Sequence, residues 1–118
     1  MTFRLKMEES EKRKGSKIIL ALDQVPCIHG NLLSRSLRIL EHVNPYICAV
    51  KLNMHIVLPL GLFNGAEKIV REAQSLHLPV IMDCKINDIG YTNRIIAENY
   101  FKAGFDAVIA SAFVALFS

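Results

Sequence analysis

Three times in succession a short apolar run closes on a charged side chain, and this repetition restricts the fold more than any other feature of the chain. Lys17 to Asp23 (Lys-Ile-Ile-Leu-Ala-Leu-Asp) ends on a carboxylate, Tyr46 to Asn53 stays apolar until Lys51, and Pro79-Val80-Ile81-Met82 runs into Asp83, Lys85 and Asp88. Runs that are apolar on both faces are the mark of parallel strands covered on both sides. Asp23 and Lys51 are 28 positions apart and Lys51 and Asp83 are 32 apart. Such spacing leaves room for one strand and one crossover helix per unit.

The intervening segments read as those helices. Asn31 to Val43 carries Leu33, Leu37 and Leu40 at helical spacing, and Asn44-Pro45 stops it. Asn64-Gly-Ala-Glu67 has the form of a capping box ahead of Ile69, Val70, Ala73 and Leu76. Tyr91 to Ala103 places Ile95, Ile96 and Tyr100 on one face, with Gly104 as a C-terminal stop and Asp106 to Phe113 as a fourth strand. The expected class is α/β, built of parallel β/α units. Residues 1–16 are expected to be a charged, frayed N-terminal tail and residues 17–118 a unit of about four β/α repeats.

Composition removes several function classes. With 118 residues and 52% hydrophobic content the chain can bury a core. No apolar stretch approaches the roughly 18 residues of a membrane span, and the charged start lacks a signal peptide's apolar region, so the expected location is cytoplasmic. Cys27, Cys48 and Cys84 are scattered and read as reduced thiols, and His29, His42, His55 and His77 lack ligand spacing, so no metal is assigned. His55 reads as a loop histidine. A net charge of +3 without Trp or an aromatic platform argues against nucleic acid and leaves a small anionic substrate compatible.

The candidate site follows from the strand ends. Side chains two apart on a strand share a face, so Asp83 and Lys85 can touch, while Asp88 lies just beyond on a turn. A lone Asp-x-Lys is ordinarily a weak surface pair. Here three successive strand ends carry acid, base and acid again, at the carboxyl ends where β/α folds gather their functional groups. Two acids and two ammonium groups buried together would keep one another ionised, whereas one alone would neutralise.

These residues carry a resemblance to a family. Leu-Ala-Leu-Asp23, Val-Lys51, Asp83-Cys-Lys85-Ile-Asn-Asp88-Ile-Gly-Tyr-Thr92 and Asp106-Ala-Val resemble the strand motifs of the orotidine 5′-phosphate decarboxylases over about residues 17 to 114. The resemblance implies an eight-stranded TIM-type (β/α)8 barrel, of which these residues would form the N-terminal half. It implies cofactor-free decarboxylation of orotidine monophosphate to UMP in pyrimidine synthesis. Lys85 would be the proton donor, with Asp83, Lys51 and Asp88 completing the catalytic set. Asp23 and Lys51 would bind ribose hydroxyls, and Asp88, Ile89 and Thr92 would reach a neighbouring subunit's site, so a homodimer is implied.

The family's phosphate-binding groups follow the seventh and eighth strands and its pyrimidine contacts begin at the fifth, so the 118 residues alone are expected to be inactive. Two other readings stay open. One is a non-catalytic, self-associating half-barrel; the other is a metal-dependent sugar-phosphate decarboxylase or aldolase relative. Such relatives usually carry a metal-binding glutamate where Lys51 stands, and Lys51 therefore favours the orotidylate branch.

Overall fold

The computed structural model describes residues 1–24 and 31–111. Its centre is a four-stranded parallel sheet, β1 (Ile19–Ala21), β2 (Ala49–Asn53), β3 (Val80–Ile86) and β4 (Ala107–Ala110), arranged in chain order. Sequential order with parallel pairing requires a crossover between each pair of strands. Helices fill that role: α2 (Leu32–Val43), α3 (Met54–Leu60) with α4 (Glu67–Ser75), and α5 (Gly90–Lys102).

Strand alternation sorts the side chains. Val50 pairs in register with Val80 and Leu52 with Met82, and all four are fully buried against Leu40, Ile56, Ile69 and Val70 of the helices. Burying each such side chain is worth about 1.5–3 kcal/mol, so this face supplies most of the hydrophobic stabilisation. The alternate positions, Lys51 beside Ile81 and Asn53 beside Asp83, face the other way. Polar residues are thereby confined to the face the helices leave uncovered.

The expected helices form with boundaries within a residue or two for α2 and α5. Asn31 caps α2 by accepting from the Ser34 amide at 3.0 Å, and Gly104 ends the α5 turn at φ +102°, where a side chain would be strained. The capping box at Asn64 does not form. The chain instead enters α3 directly from β2, then kinks through Gly61–Ala66, with Asn64 at φ −122°, ψ −106°, before α4 begins without a side-chain cap. Asn53 supplies the earlier cap, and Gly65 sits so close to Leu60 that an added Cβ would lie 2.8 Å from Leu60 Cβ. Tertiary packing thus fixes where the turn falls.

The charged opening segment differs most from expectation. Instead of a frayed end it is α1 (Phe3–Lys14), capped by Thr2 and Gly15 and laid across the amino-terminal ends of the strands. Buried Ser10 donates to the Cys48 carbonyl at 2.6 Å, Lys6 pairs with Asp106 at 2.6 Å, and Lys14 bonds Asn44. Charge patterning alone does not reveal such partners, because each is 30 or more residues away in sequence. Cys48 and Cys84 are free thiols; Cys27, His29 and the end of the fourth strand through Phe113 lie outside the described residues.

Candidate functional site

The carboxyl ends of β1, β2 and β3 open on a cleft of about 310 Å³ lined by Asp23, Lys51, Asn53, His55, Asp83 and Lys85. Asp83 sits at its centre with a side chain only 10% exposed, bridged on one oxygen by Lys85 Nζ at 2.9 Å and on the other by Lys51 Nζ at 3.3 Å. The hydrogen bond from Lys85, followed by that from Lys51, holds the Asp83 carboxyl below its ordinary range, against the opposing push of burial. One anion is therefore held between two cations. Lys51 is one-third exposed and Lys85 three-quarters exposed, so both ammonium groups also face the open cleft.

Lys85 meets Asp83 for a reason beyond strand alternation. β3 and β4 pair in register at Met82–Val108 and again at Ile86–Ala110, so β3 spends four residues where β4 spends two. The excess is a bulge, and within it Lys85 takes φ +47°, a left-handed conformation that costs a non-glycine residue about 1–2 kcal/mol. Strain of this kind persists where the surroundings enforce it, and it gathers at functional sites. The bulge aims the lysine back over Asp83.

Asp23 joins the cleft without entering the ion cluster. Its Oδ1 accepts from Asn53 Nδ2, while Asn53 Oδ1 accepts from the His55 amide at 2.9 Å and so caps α3. Reading the charged residues alone missed Asn53. The available signal was its position two residues after Lys51, which strand alternation places on the same face. His55, expected in a loop, is instead in the first turn of α3, at the cleft wall.

Asp88, Ile89 and Thr92 do not line the cleft within this chain. Asp88 Oδ1 accepts from the Ile89 amide at 2.8 Å, and the buried Asn93 clamps the turn by accepting from the Asp88 amide at 3.0 Å and donating to its carbonyl at 2.7 Å. Ile89 is left 69% exposed on this turn. Cys84 adjoins the cleft, but burial pushes its thiol up, away from the reactive thiolate. Among the described residues no group of three or more His, Cys, Asp or Glu is placed to hold a metal.

Known proteins resemble both the sequence and the fold. An orotidine 5′-phosphate decarboxylase of Thermococcus kodakarensis is 39% identical over 100 residues, covering 84% of this chain and 42% of the relative; one of Methanosarcina mazei is 40% identical, covering 85% and 40%. The crystal structure of the Pyrococcus horikoshii enzyme superposes with a TM-score of 0.67 at 34% identity, over 81% of this chain and 41% of that one. The Methanocaldococcus jannaschii enzyme complexed with inhibitor BMP gives 0.68 at 32% identity, over 84% and 41%. The chain thus spans about 40% of the length of these relatives, and its four parallel strands correspond to the N-terminal half of their TIM-type barrel. The family model described as "Orotidine 5′-phosphate decarboxylase / HUMPS family" matches residues 16–116, a stretch that contains all four strands and every charged strand end, and the chain belongs to that family.

Proposed function

We propose that these residues supply the acid–base half of a decarboxylase site for orotidine monophosphate. The observation that carries the reading is Asp83 held between Lys51 and Lys85 at the carboxyl mouth of a parallel sheet, in a chain of this family. A substrate carboxylate placed beside Asp83 meets a like charge, which disfavours the ground state. As the C6–carboxylate bond breaks, the electron pair stays on C6 and carbon dioxide leaves. Lys85 then transfers a proton from Nζ to C6, giving UMP, and the ammonium pair stabilises the developing carbanion throughout. Asp23 and Lys51 would take the ribose hydroxyls. A relative's structure complexed with inhibitor BMP supports a nucleotide as the substrate.

The proposal extends to assembly. The turn carrying Asp88, Ile89 and Thr92 does not line its own cleft, and Ile89 is exposed, as a contribution to a second copy's site requires. Decarboxylation needs more than reacting groups, because remote contacts to the rest of the substrate hold the site in its productive form. Lys85 is three-quarters exposed, so water screens its field on the 118 residues alone. The test is carbon dioxide release from orotidine monophosphate by the purified chain, with and without a polypeptide covering the remainder of the relatives' barrel. Turnover is expected only in the combined sample. Robust turnover by the chain alone contradicts the division of labour, and none in either sample contradicts the reading itself.

One observation favours a second reading, self-association. Ile18 and Ile19 at the β1 edge are 64% and 44% exposed, and β1 and β4 each leave one edge unpaired within the described residues. Association through such a surface should survive moderate salt, which screens charges beyond about 8–10 Å but leaves apolar contact intact. Sedimentation at several concentrations checks this. A compact monomer throughout, or dissociation by moderate salt, removes the reading.

A further inference from the structure

We infer that Asn53 is a positioning residue that sets the Asp23 carboxylate to accept a ligand hydroxyl, and so makes the cleft selective for a sugar carrying its hydroxyl groups. The inference rests on the reading of the cleft as a nucleotide site. Asn53 spends both ends of its amide: Nδ2 donates to Asp23 Oδ1, and Oδ1 accepts from the His55 amide at 2.9 Å. That second bond fixes which way the amide faces, because the backbone amide can only donate. The α3 cap therefore forces the donor end toward Asp23, and the carboxylate is tied at one oxygen across the gap between β1 and β2.

The consequence for chemistry is specific. Among the described residues, Asp23 Oδ2 has no hydrogen-bond partner, and Asp23 is in neither ion pair of the Lys51–Asp83–Lys85 cluster. A carboxylate with one oxygen satisfied by a neutral donor and one oxygen open is an acceptor for O–H groups. Without Asn53, Lys51 in the same cleft would compete for Asp23 and draw it into the ion cluster. The amide thus separates the cleft into a reacting part around Asp83 and a hydroxyl-reading part around Asp23.

The test compares uridine 5′-monophosphate with its 2′,3′-dideoxy counterpart as ligands of the full chain, by NMR titration, together with amide exchange in α3. The parent chain should favour the hydroxyl-bearing nucleotide by about tenfold, as one or two hydrogen bonds supply. Asn53→Asp keeps an acceptor for the α3 cap but turns the donor into a second anion facing Asp23. It should keep the amide protection of α3 while the preference falls to within about twofold. The preference should return as pH falls toward about 4, where the facing carboxylates share a proton and a donor is restored. His55, Asp83, Lys85 and the phosphate act alike on both nucleotides, and Lys51, which also faces the ribose hydroxyls, is the same in parent and variants, so the change in the ratio on substitution isolates the Asp23 contact.

Asn53→Ala, which loses both bonds, should lose the preference as well. An Asn53→Asp chain that keeps the parent preference at neutral pH overturns the positioning role and leaves the nucleotide reading standing. A parent chain that binds both nucleotides equally, with Lys51→Ala abolishing binding, overturns it in the same way. A parent chain that binds neither nucleotide overturns the nucleotide reading and this inference with it.

Discussion

The two ends of the sheet each bury a carboxylate against a lysine, and the partners they choose differ in kind. At the amino-terminal end, Asp106 is 8% exposed and accepts from Lys6 on one oxygen and from the Val80 amide at 2.9 Å on the other. At the carboxyl end, Asp83 is 10% exposed and both its oxygens face ammonium groups on flexible stems. A backbone amide cannot leave its place, so Asp106 ties α1, β3 and β4 together and is spent on structure. Ammonium groups can be redirected to an incoming ligand. On the proposed function Asp83 holds charge in readiness, and near-equal burial at the two ends would then serve opposite purposes.

The largest expected effect falls on chemistry. In a full-length protein carrying this half, Lys85→Ala should lower single-turnover decarboxylation by about 10³-fold or more, since it removes the proposed proton donor. Lys6→Ala, the counterpart at the other end, should leave the rate near that of the parent. Activity of the Lys85→Ala protein within tenfold of the parent would sink the assignment.

Stability should respond in the reverse order. Asp106→Ala strands the Val80 amide and should cost about 1–3 kcal/mol in urea unfolding, while Asp83→Asn should change stability by less than about 1 kcal/mol. Equal losses at the two sites would erase the distinction drawn between them. The bulge sharpens it further. Lys85→Gly removes the left-handed strain at φ +47° and should be about 1 kcal/mol more stable than Lys85→Ala, although neither retains the lysine. If the alanine protein is the more stable, the strain argument fails.

The smallest effect is a dependence on acid. Because the folded-state pKa of Asp83 is depressed, its contribution is fully present above the unfolded carboxyl value near about 4 and fades as pH falls through the lower folded value. Urea midpoints between about pH 5 and 2 should therefore fall less steeply in Asp83→Asn than in the parent. Superimposable slopes would mean that Lys51 and Lys85 do not hold the carboxylate in solution as they do in the structure.

Legibility in the sequence followed the range of the interactions involved. The strands β2 and β3, the helices α2 and α5, and the grouping of Asp23, Lys51, Asp83 and Lys85 all rest on local periodicity and on the rule that β/α units share one carboxyl mouth. The early start of α3, the kink before α4 and the failure of the Asn64 cap rest on Gly65 packing against Leu60 and on Asn53 capping first. Local signals rank possible caps, and packing selects among them. Asn53 stayed hidden because an amide has no charge to attract notice, and its two bonds reach Asp23 from one side and α3 from the other.

By itself, then, the sequence determined a parallel β/α architecture and the set of charged side chains gathered at one end, because alternation along a strand and the spacing of apolar runs act over only a few residues. Tertiary structure decided the rest. It docked the charged opening segment as α1 through partners far along the chain, introduced the bulge that turns Lys85 over Asp83, and separated Asp23 from the ion cluster through Asn53. Each of these depends on groups brought together across the sheet, and a linear pattern carries no information on where such groups come to rest until the core has set the positions of the strands.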